Sequence, residues 1–335
     1  MFEGLKAPEI EATGWLNSAP LRLKDLRERV VVLHIWDYTC VNCLRGLPVL
    51  AEWHRRYASL GLTIIAVHCP EFDFARDSRN VERAIRRHDL PFAVALDNDF
   101  RVWSAYANRY WPRTFLIDRR GVIRFDQIGE GNWRRAELKI QELLGELYPA
   151  LSPPQPVEAE PAGVCYPVTA ELYTGYQRGR LGNPEGYRPN QVVDYREVKR
   201  CVDGFLYLRG RWLNLAQCLQ HASRDPASWV GLRYHAVTLH AVISTVGWPT
   251  TPLKVEVEQD GSPLPPEAAG EDVIIEGGRS YLVVEHPRAY ELVANPRFGY
   301  HILRLYPASE LFRLHAFTFG GRELRGERRL AASLH

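Results

Sequence analysis

An apolar strand that runs straight into two closely spaced cysteines is the feature that most restricts the fold of this chain. The segment VVVLHIW (30–36) is largely apolar and β-branched, and CVNC (40–43) follows three residues later. Apolar residues then recur at helical spacing from about Val41, which predicts a helix that begins at the cysteines. A strand without a polar face needs a sheet that is covered on both sides. The segment therefore predicts an α/β domain with paired cysteines at the end of a central strand.

Strand and helix patterns continue to alternate along the first 151 residues. The expected strands are LTIIAVH (62–68), FAVAL (92–96), TFLID (114–118) and VIRFDQI (122–128), and the expected helices lie at about 80–87 and 134–147. Apolar strands separated by helices are typical of a sheet with helices on both faces. Residues 1–151 are therefore predicted to form one α/β domain.

A change in composition divides the chain. SPPQPVEAEPAG (152–163) is rich in proline and acidic residues, which neither continue a helix nor form a buried strand. Beyond it, residues 164–335 contain short, often alternating apolar segments separated by Gly or Pro, without helical patterns between them. We expect 152–163 to be a linker and 164–335 to be an all-β sandwich resembling a jelly roll. A length of 335 residues agrees with two domains.

Charge and hydropathy argue against several classes of function. The net charge is +2 and basic residues are interspersed with acidic ones, so neither a nucleic-acid partner nor an anionic membrane surface is predicted. The longest apolar runs are far shorter than the roughly 20 residues that cross a bilayer, so no membrane span is expected. The opening residues contain acids and proline where a signal peptide has a basic flank and an apolar stretch. A cytoplasmic location is the expectation, with an extracytoplasmic one as the alternative if the chain has been trimmed.

The spacing of the two cysteines suits thiol–disulfide exchange. Cys40 is predicted at the N-terminus of the helix, where unpaired amides and the helix dipole stabilise a thiolate. Cys43 lies one turn further on, shielded but close enough to resolve a mixed disulfide formed on Cys40. These residues are the predicted catalytic pair.

Cys-x-x-Cys pairs also occur in zinc sites and in haem attachment sequences. Leu44 stands where haem attachment requires His, and none of the other four cysteines forms a second close pair that would complete a zinc site. A redox role is therefore favoured, and neither a metal nor a cofactor is predicted.

Several segments in order resemble the thioredoxin-like redoxin domain of TlpA-type and DipZ-type proteins. They are WDYTCVNC, VHCPEFDF, ALDNDFRVWSAYANRYWPRTFLID and GEGNW. After the linker, AELYTGYQRG and FGYHILRLYPASELFRLHAFTFGG resemble the β-sandwich that follows the redoxin domain in DipZ-type proteins, a domain likened to carbohydrate-binding modules. The resemblance covers most of the chain. It implies a thiol:disulfide oxidoreductase with Cys40 as nucleophile and Cys43 as resolving thiol.

The resemblance also implies the surroundings of the pair. Pro112 would be a cis-proline that faces the cysteines and offers its backbone to an extended substrate; an ordinary trans proline is the alternative. Trp36, Trp111, Pro112 and Arg113 are the residues predicted to bind substrate. Arg113 would lie beside the pair and could lower the pKa of Cys40, although a surface arginine without that role fits the sequence nearly as well.

Partners follow from the same resemblance. A protein or a small molecule with a disulfide or dithiol is the expected substrate. DipZ-type proteins carry a membrane electron-transfer domain ahead of the redoxin domain, whereas here the redoxin domain follows Met1 almost directly. The electron donor is therefore expected to be a separate protein.

Residues after the second predicted strand form an accessory group. His68 and Glu71 could relay protons to Cys43, or they could be structural hydrogen-bonding groups at a strand end. Cys69 could be a third active-site thiol, but a buried inert cysteine is favoured. The acidic loop 97–99 has too few oxygen ligands for a cation site, so a solvated turn is favoured there.

The second domain leaves a binding function open. Its large aromatic residues could form a platform for sugar rings or for an unfolded polypeptide, although core positions are the favoured interpretation: Tyr207, Trp212, Trp229, Tyr234 and Trp248. One disulfide could occur among Cys165, Cys201 and Cys218, although buried thiols are the default.

Two other functions compete with disulfide exchange. A peroxiredoxin-like peroxidase would attack peroxide with one low-pKa cysteine, but the proline that precedes such a cysteine is missing from residues 36–39. A glycan- or polypeptide-binding module with a redox-regulated anchor domain is the third hypothesis.

Overall fold

A computed structural model describes residues 2–150, 152–157 and 164–323. The chain divides into two compact units, Met1–Pro161 and Ala162–His335. The division falls within the segment 152–163.

The first unit is a six-stranded mixed sheet with helices on both faces. Its strands are β1 (Gly14–Leu16), β2 (Val30–Trp36), β3 (Leu62–His68), β4 (Ala93–Leu96), β5 (Arg113–Ile117) and β6 (Ile123–Ile128), in the order β1-β4-β3-β2-β5-β6. Its helices are α1 (Val41–Tyr57), α2 (Ser78–Arg87), α3 (Arg101–Ala105) and α4 (Trp133–Leu147). Strands β2, β3 and β4 run parallel, whereas β1, β5 and β6 pair antiparallel with their neighbours. The α/β prediction is confirmed; β1 and α3, which are short and lack a clear period, were not predicted.

The two faces of this sheet cover separate apolar clusters. Val32 and Trp36 of β2 pack in the cluster that contains Cys43 and the apolar faces of α1 and α4. Leu33 and Ile35 pack in the cluster on the other face. Because side chains alternate along a strand, the parity of a residue number in β2 decides whether the side chain lies on the cysteine face.

Helices α1 and α4 approach closely on the cysteine face. A Cβ atom placed on Gly46 would lie 2.6 Å from the ring of Trp133, so a larger residue at this position would have to displace that ring. The Trp133 ring also makes an edge contact with Trp53, with centroids 5.9 Å apart. The position of α1, and with it the position of the cysteines, is fixed by these rings.

Part of the predicted linker packs against the first unit. The buried Glu137 carboxylate accepts hydrogen bonds from the Tyr57 hydroxyl and the Val157 amide, each at 2.7 Å. Gln141 donates a hydrogen bond of 2.8 Å to the carbonyl of Pro154. Residues 152–157 are therefore held on α4 by specific contacts.

The second unit is all-β and antiparallel. Its strands are β7 (Leu172–Tyr173), β8 (Val192–Tyr195), β9 (Leu206–Asn214), β10 (Leu219–His221), β11 (Trp229–Thr245), β12 (Leu253–Gln259), β13 (Ser262–Pro263), β14 (Val273–Glu276), β15 (Arg279–Val284), β16 (Arg288–Pro307) and β17 (Phe312–Gly320). The main path of the sheet is β14-β15-β12-β16-β11-β17-β10-β9-β8. One edge of β11 pairs first with β9 and then with β17, so one connected sheet encloses a single apolar core. The all-β prediction is confirmed.

Two strands are much longer than the sequence predicts. β11 has 17 residues and β16 has 20, and they pair along most of their length with a register shift near Ala236. Residues 295–298 of β16, which include Pro296, bulge out at that shift. The proline resembles a strand end in sequence, but a bulge accommodates it without ending the strand.

Candidate functional site

The paired cysteines lie where strand β2 passes into helix α1. Cys40 is the N-cap residue of α1, and its Sγ accepts a hydrogen bond of 3.2 Å from the Cys43 amide. The two residues form a disulfide with Cα atoms 5.2 Å apart. Cys40 is partly exposed, whereas Cys43, within α1, is fully buried in the apolar cluster on the cysteine face of the sheet. An outside group can therefore reach Cys40 but not Cys43.

Pro112 lies beside the end of β2. The Trp111–Pro112 peptide bond is cis. The next residue, Arg113, begins β5 and pairs with Ile35, so the proline is adjacent to the last residue of β2. The cis isomer is thus observed as predicted, and Pro112 itself is buried.

The two tryptophans predicted to bind substrate have different environments. Trp111 is partly exposed, donates a hydrogen bond of 3.0 Å from Nε1 to the Cys69 carbonyl, and lies 4.3 Å from the ring of Trp103. Trp36 is completely buried in the apolar cluster under α1. The interpretation of Trp36 as a substrate-binding residue is wrong, because no substrate can reach its ring; Trp111 keeps that prediction.

The role predicted for Arg113 is also wrong. Its side chain is 4% exposed and forms two hydrogen bonds of 2.8 Å with the Asp126 carboxylate. The guanidinium lies over the rings of Phe2 and Phe115, and Phe115 belongs to the cluster on the face opposite the cysteines. Strand alternation therefore turns Arg113 away from Cys40, and Asp126 neutralises its charge.

A buried polar group surrounds the turn before Cys40. The ring of His68 stacks on Tyr38, with centroids 5.5 Å apart, and its Nε2 lies 3.8 Å from Oδ1 of Asp37. Within the described part of the chain, neither ring nitrogen of His68 has a hydrogen-bond partner. The Glu71 amide donates to Oδ2 of Asp37, which joins the loop after β3 to the loop after β2. Asp37 belongs to the active-site turn, so its contacts place both His68 and Glu71 next to that turn.

Cys69 has the character of an inert thiol. It is fully buried in the cluster opposite the cysteine face, and its Sγ lies 3.4 Å from Oδ2 of Asp97. Burial raises the pKa of this thiol well above its usual value, and the charges of Asp97 and Asp37 raise it further. A protonated, enclosed thiol is a poor nucleophile. Asp97 itself accepts hydrogen bonds from the Val102 and Trp103 amides, so the acidic loop begins with a buried cap and not with a fully solvated turn.

Sequence reasoning missed two buried polar residues, one within β2 and one directly after it. Asp37 is one of them, and His34 is the other. The Nδ1 atom of His34 lies 2.9 Å from Oγ1 of Thr114, and burial lowers the pKa of the imidazole to about 3. The available signal was an ionisable residue within or directly after an apolar strand, a position that is rarely occupied without a hydrogen-bonding partner.

Comparison with known proteins agrees with this geometry. The model described as AhpC/TSA family matches residues 4–126, and the model described as Thioredoxin like C-terminal domain matches residues 169–320. Thiol-disulfide oxidoreductase ResA of Bacillus cereus is 30% identical over 140 residues, which are 42% of this chain and 78% of ResA. The chain belongs to the thioredoxin-like family.

Other relatives of this thioredoxin-like protein extend the match. Thiol-disulfide oxidoreductase YkuV of Bacillus subtilis is 27% identical over 42% of this chain and 97% of its own length. Protein DipZ of Mycobacterium bovis is 31% identical over 94% of this chain, and the chain spans 43% of the length of DipZ. A solved thiol-disulfide isomerase from Corynebacterium glutamicum is 25% identical, covers 41% of this chain and 96% of its own, and has a TM-score of 0.37.

The second unit of this thioredoxin-like protein does not present the aromatic platform considered from the sequence. Four of the five residues, Tyr207, Trp212, Trp229 and Tyr234, are buried, and Trp248 is 44% exposed. The favoured interpretation as core residues holds for those four. Cys165, Cys201 and Cys218 do not take part in a disulfide.

In residues 2–150, 152–157 and 164–323, no three His, Cys, Asp or Glu side chains gather as they would around a metal ion. In the same ranges, no helix has both the length and the apolar character needed to cross a bilayer.

Proposed function

We propose that this protein exchanges thiols and disulfides through Cys40 and Cys43. The observation that carries the proposal is the contrast in exposure between two bonded cysteines at a helix N-terminus. Cys40 is accessible and lies at the positive end of α1, whereas Cys43 is buried one turn away. This is the arrangement that a nucleophile and its resolving thiol require.

The reaction proceeds through a mixed disulfide. The reduced Cys40 thiolate attacks one sulfur of a substrate disulfide, the substrate S–S bond breaks, and the departing substrate thiolate takes a proton. Cys43 then loses its proton and attacks the Cys40 sulfur, which releases the second substrate thiol and leaves the Cys40–Cys43 disulfide. In the opposite direction, a reduced substrate attacks Cys40 of the disulfide. The partly exposed Trp111 would contact the substrate chain beside Cys40.

The partners that we propose follow from this chemistry. The substrate carries a disulfide or a dithiol, as the names of ResA and YkuV suggest for those relatives. A separate reductant protein would return the Cys40–Cys43 pair to the dithiol. Relatives and structure leave the ligand of the second unit unassigned, and the burial of its aromatic residues gives no support to a glycan.

Trapping tests the proposal directly. Cys43→Ser removes the resolving thiol, so mixed disulfides should accumulate on Cys40, and mass spectrometry of the adducts should identify the substrates. Cys69→Ser provides a matched control. It removes a buried thiol of the same unit but keeps Cys43, so mixed disulfides should not accumulate. The absence of adducts on Cys40, together with failure of the wild type to exchange with a model disulfide, would reject the proposal.

The match to the AhpC/TSA model favours one second candidate, a peroxidase. Peroxide would oxidise the Cys40 thiolate to a sulfenic acid with release of water or alcohol, and Cys43 would condense with it, releasing water and forming the disulfide. Rapid peroxide consumption by the wild type, with a sulfenic acid trapped on Cys40 of the Cys43→Ser variant, would make peroxide reduction the main activity instead of disulfide exchange. Slow consumption with rapid disulfide exchange would exclude it as the main activity.

A further inference from the structure

Asp37 is a buried carboxylate in the turn that leads to Cys40. Its Oδ1 accepts hydrogen bonds from the Thr39 amide (2.7 Å) and the Thr39 hydroxyl (2.9 Å), and its Oδ2 accepts one from the Glu71 amide. The Asp37 carbonyl accepts a further bond of 3.2 Å from the Cys40 amide. Three donors converge on one carboxylate, which is the arrangement that a buried charged carboxylate requires.

These bonds join two loops at the active site. Thr39 directly precedes the nucleophile, and Glu71 follows the third strand, whose end also holds Trp111 through the Cys69 carbonyl. The carboxylate therefore fixes the active-site turn against the loop that supports a predicted substrate-binding residue. The main chain provides one such link, a hydrogen bond of 2.9 Å from the Cys69 amide to the Trp36 carbonyl, and the Asp37 carboxylate adds a second link nearer to Cys40 in the chain.

The charge of Asp37 has no strong counter-ion nearby. Among the residues that the structure describes, no Lys or Arg lies within 4.0 Å of the carboxylate, and His68 approaches only to 3.8 Å. The other ionisable groups around the turn are Tyr38 on the same loop, Cys69 and Glu71 after β3, and Asp97 after β4. Asp77, the N-cap residue of α2, and Arg83 within α2 also act on Tyr38. Asp37 contributes to raising the pKa of both Tyr38 and Cys69, although burial is the largest cause for each. Its field therefore reaches groups on both sides of the site.

We propose that Asp37 is a positioning residue that holds the Cys40 turn and, through its uncompensated charge, makes the Cys40–Cys43 pair a stronger reductant. The physical reason is that a negative charge disfavours a nearby thiolate. When the reduced form of such a pair is stabilised, the pair is a strong oxidant. Conversely, a pair whose thiolate is poorly stabilised is a stronger reductant. The inference rests on the proposed disulfide exchange and adds that the exchange runs toward reduction of the substrate disulfide.

The relevant equilibrium has a simple balance. Two glutathione molecules reduce the Cys40–Cys43 disulfide, giving the two cysteine thiols and one glutathione disulfide. A fraction of the Cys40 thiol then loses a proton to solvent and becomes thiolate. Removing the Asp37 charge stabilises that thiolate and shifts the equilibrium toward the dithiol.

The test uses the reduced full-length chain and two measurements. Alkylation of Cys40 by iodoacetamide against pH gives the thiolate midpoint, and equilibration with glutathione gives the ratio of dithiol to disulfide. Asp37→Asn should lower the alkylation midpoint by about one pH unit and shift the glutathione equilibrium about tenfold toward the dithiol. If that variant does not fold, Asp37→Ala carries the same expectation, because it places no amide against the Glu71 N–H.

Three variants separate charge from scaffolding. Asp37→Glu and Thr39→Val keep the negative charge while disturbing the bonds of the turn, and their alkylation midpoints should stay near that of the wild type. Asp118→Asn removes another buried carboxylate, at the other end of β5, where it accepts bonds from the Arg120 and Val122 amides. It should lower stability without moving the midpoint.

The outcomes are distinguishable from failure of the proposed function. An unchanged midpoint in both charge-removing variants overturns the role of Asp37, even if the wild type exchanges normally with glutathione. A shift of equal size in Thr39→Val also overturns it, because geometry would then explain the effect. If the wild type itself cannot exchange with glutathione, the proposed function fails, whereas the alkylation midpoints still report on the charge.

Discussion

In the first unit, a partly exposed cysteine stands at a helix N-terminus beside ionisable side chains that are fully buried. In the second unit, three cysteines lie outside the named strands, none of them in a disulfide, and burial raises the pKa of the Cys201 thiol. Both units contain cysteines, but only the first places a partly exposed one at the N-terminus of a helix. The difference shows that reactivity is determined by the position of a cysteine in the fold.

The two units also use aromatic residues differently. The second unit buries Trp212 and Tyr234 in its apolar core, where they stabilise the sheet. The first unit buries Trp36 and Trp53 in the same way but leaves Trp111 partly exposed beside the active-site turn. A ring at the edge of a reactive site can contact a substrate, whereas a ring inside a core cannot.

The largest expected effect tests the contrast between the thiols. Cys40→Ser should reduce the rate of disulfide exchange at least about a thousandfold, because no other thiol in the chain combines exposure with a helix N-terminus. Cys165→Ser, Cys201→Ser and Cys218→Ser should each keep the wild-type rate. Reduction of insulin or of a small aromatic disulfide measures both. Substantial loss of rate in any second-unit variant would show that the comparison is wrong.

A smaller effect concerns stability. It compares a close backbone contact at a glycine of the second unit with a close side-chain contact at a glycine of the first. In Gly231→Ala, the new methyl group would collide with the carbonyl oxygen of Leu303, a backbone atom of the neighbouring strand. In Gly46→Ala it would meet the ring of Trp133, a side chain that can shift. We expect the free energy of unfolding to fall by about 3 kcal/mol for Gly231→Ala and by about 1 kcal/mol for Gly46→Ala. Urea unfolding measures both.

Gly145→Ala is the control for this pair. No atom lies within 4 Å of the position that its Cβ would occupy, and the residue lies inside α4. It should therefore raise stability by roughly 0.5–1 kcal/mol. A larger loss for Gly46→Ala than for Gly231→Ala would mean that the helix contact of the first unit is the more rigid one.

The smallest effect concerns a property that the units share. Burial lowers the pKa of His34 in the first unit and of His315 in the second to about 3. Below the unfolded pKa of about 6.5, the unfolded chain binds a proton on each histidine that the folded chain does not, so stability falls as the pH falls from 6.5 toward 3. By pH 5 each histidine should cost about 2 kcal/mol of unfolding free energy.

Glutamine variants isolate each contribution. His34→Gln and His315→Gln should each remove about 2 kcal/mol of the difference in unfolding free energy between pH 7.5 and pH 5. Unfolding in urea at the two pH values gives this difference. An unchanged pH dependence in one variant would show that its unit does not hold the histidine neutral, and the units would then differ in this respect too.

Local patterns predicted the elements that carry the active site. The apolar run 30–36 and the helical spacing after Val41 specified β2, α1 and the place of Cys40 at their junction. Short-range periodicity contains this information because a strand and a helix each repeat within a few residues. The resemblance to redoxins added the cis-proline.

The environment of the site was predicted less well, for a physical reason. Arg113 begins β5, so its side chain shares a face with Phe115, and a difference of one residue in register moves a side chain to the opposite face of a sheet. By the same rule, the side chain of Trp36 lies on the cysteine face of the sheet, where it is buried under α1. Asp37 was passed over because the pairing of its carboxylate with Glu71 joins residues 34 positions apart.

The sequence by itself determined the two units, the α/β and all-β classes, and the pair Cys40 and Cys43 at a helix start, since periodicity and spacing are local. Only the tertiary structure decided the partner of Arg113, the burial of the second unit's aromatic residues, the continuation of β16 through Pro296, and the three bonds to Asp37. Those features depend on the register and packing of distant segments, which no local pattern contains.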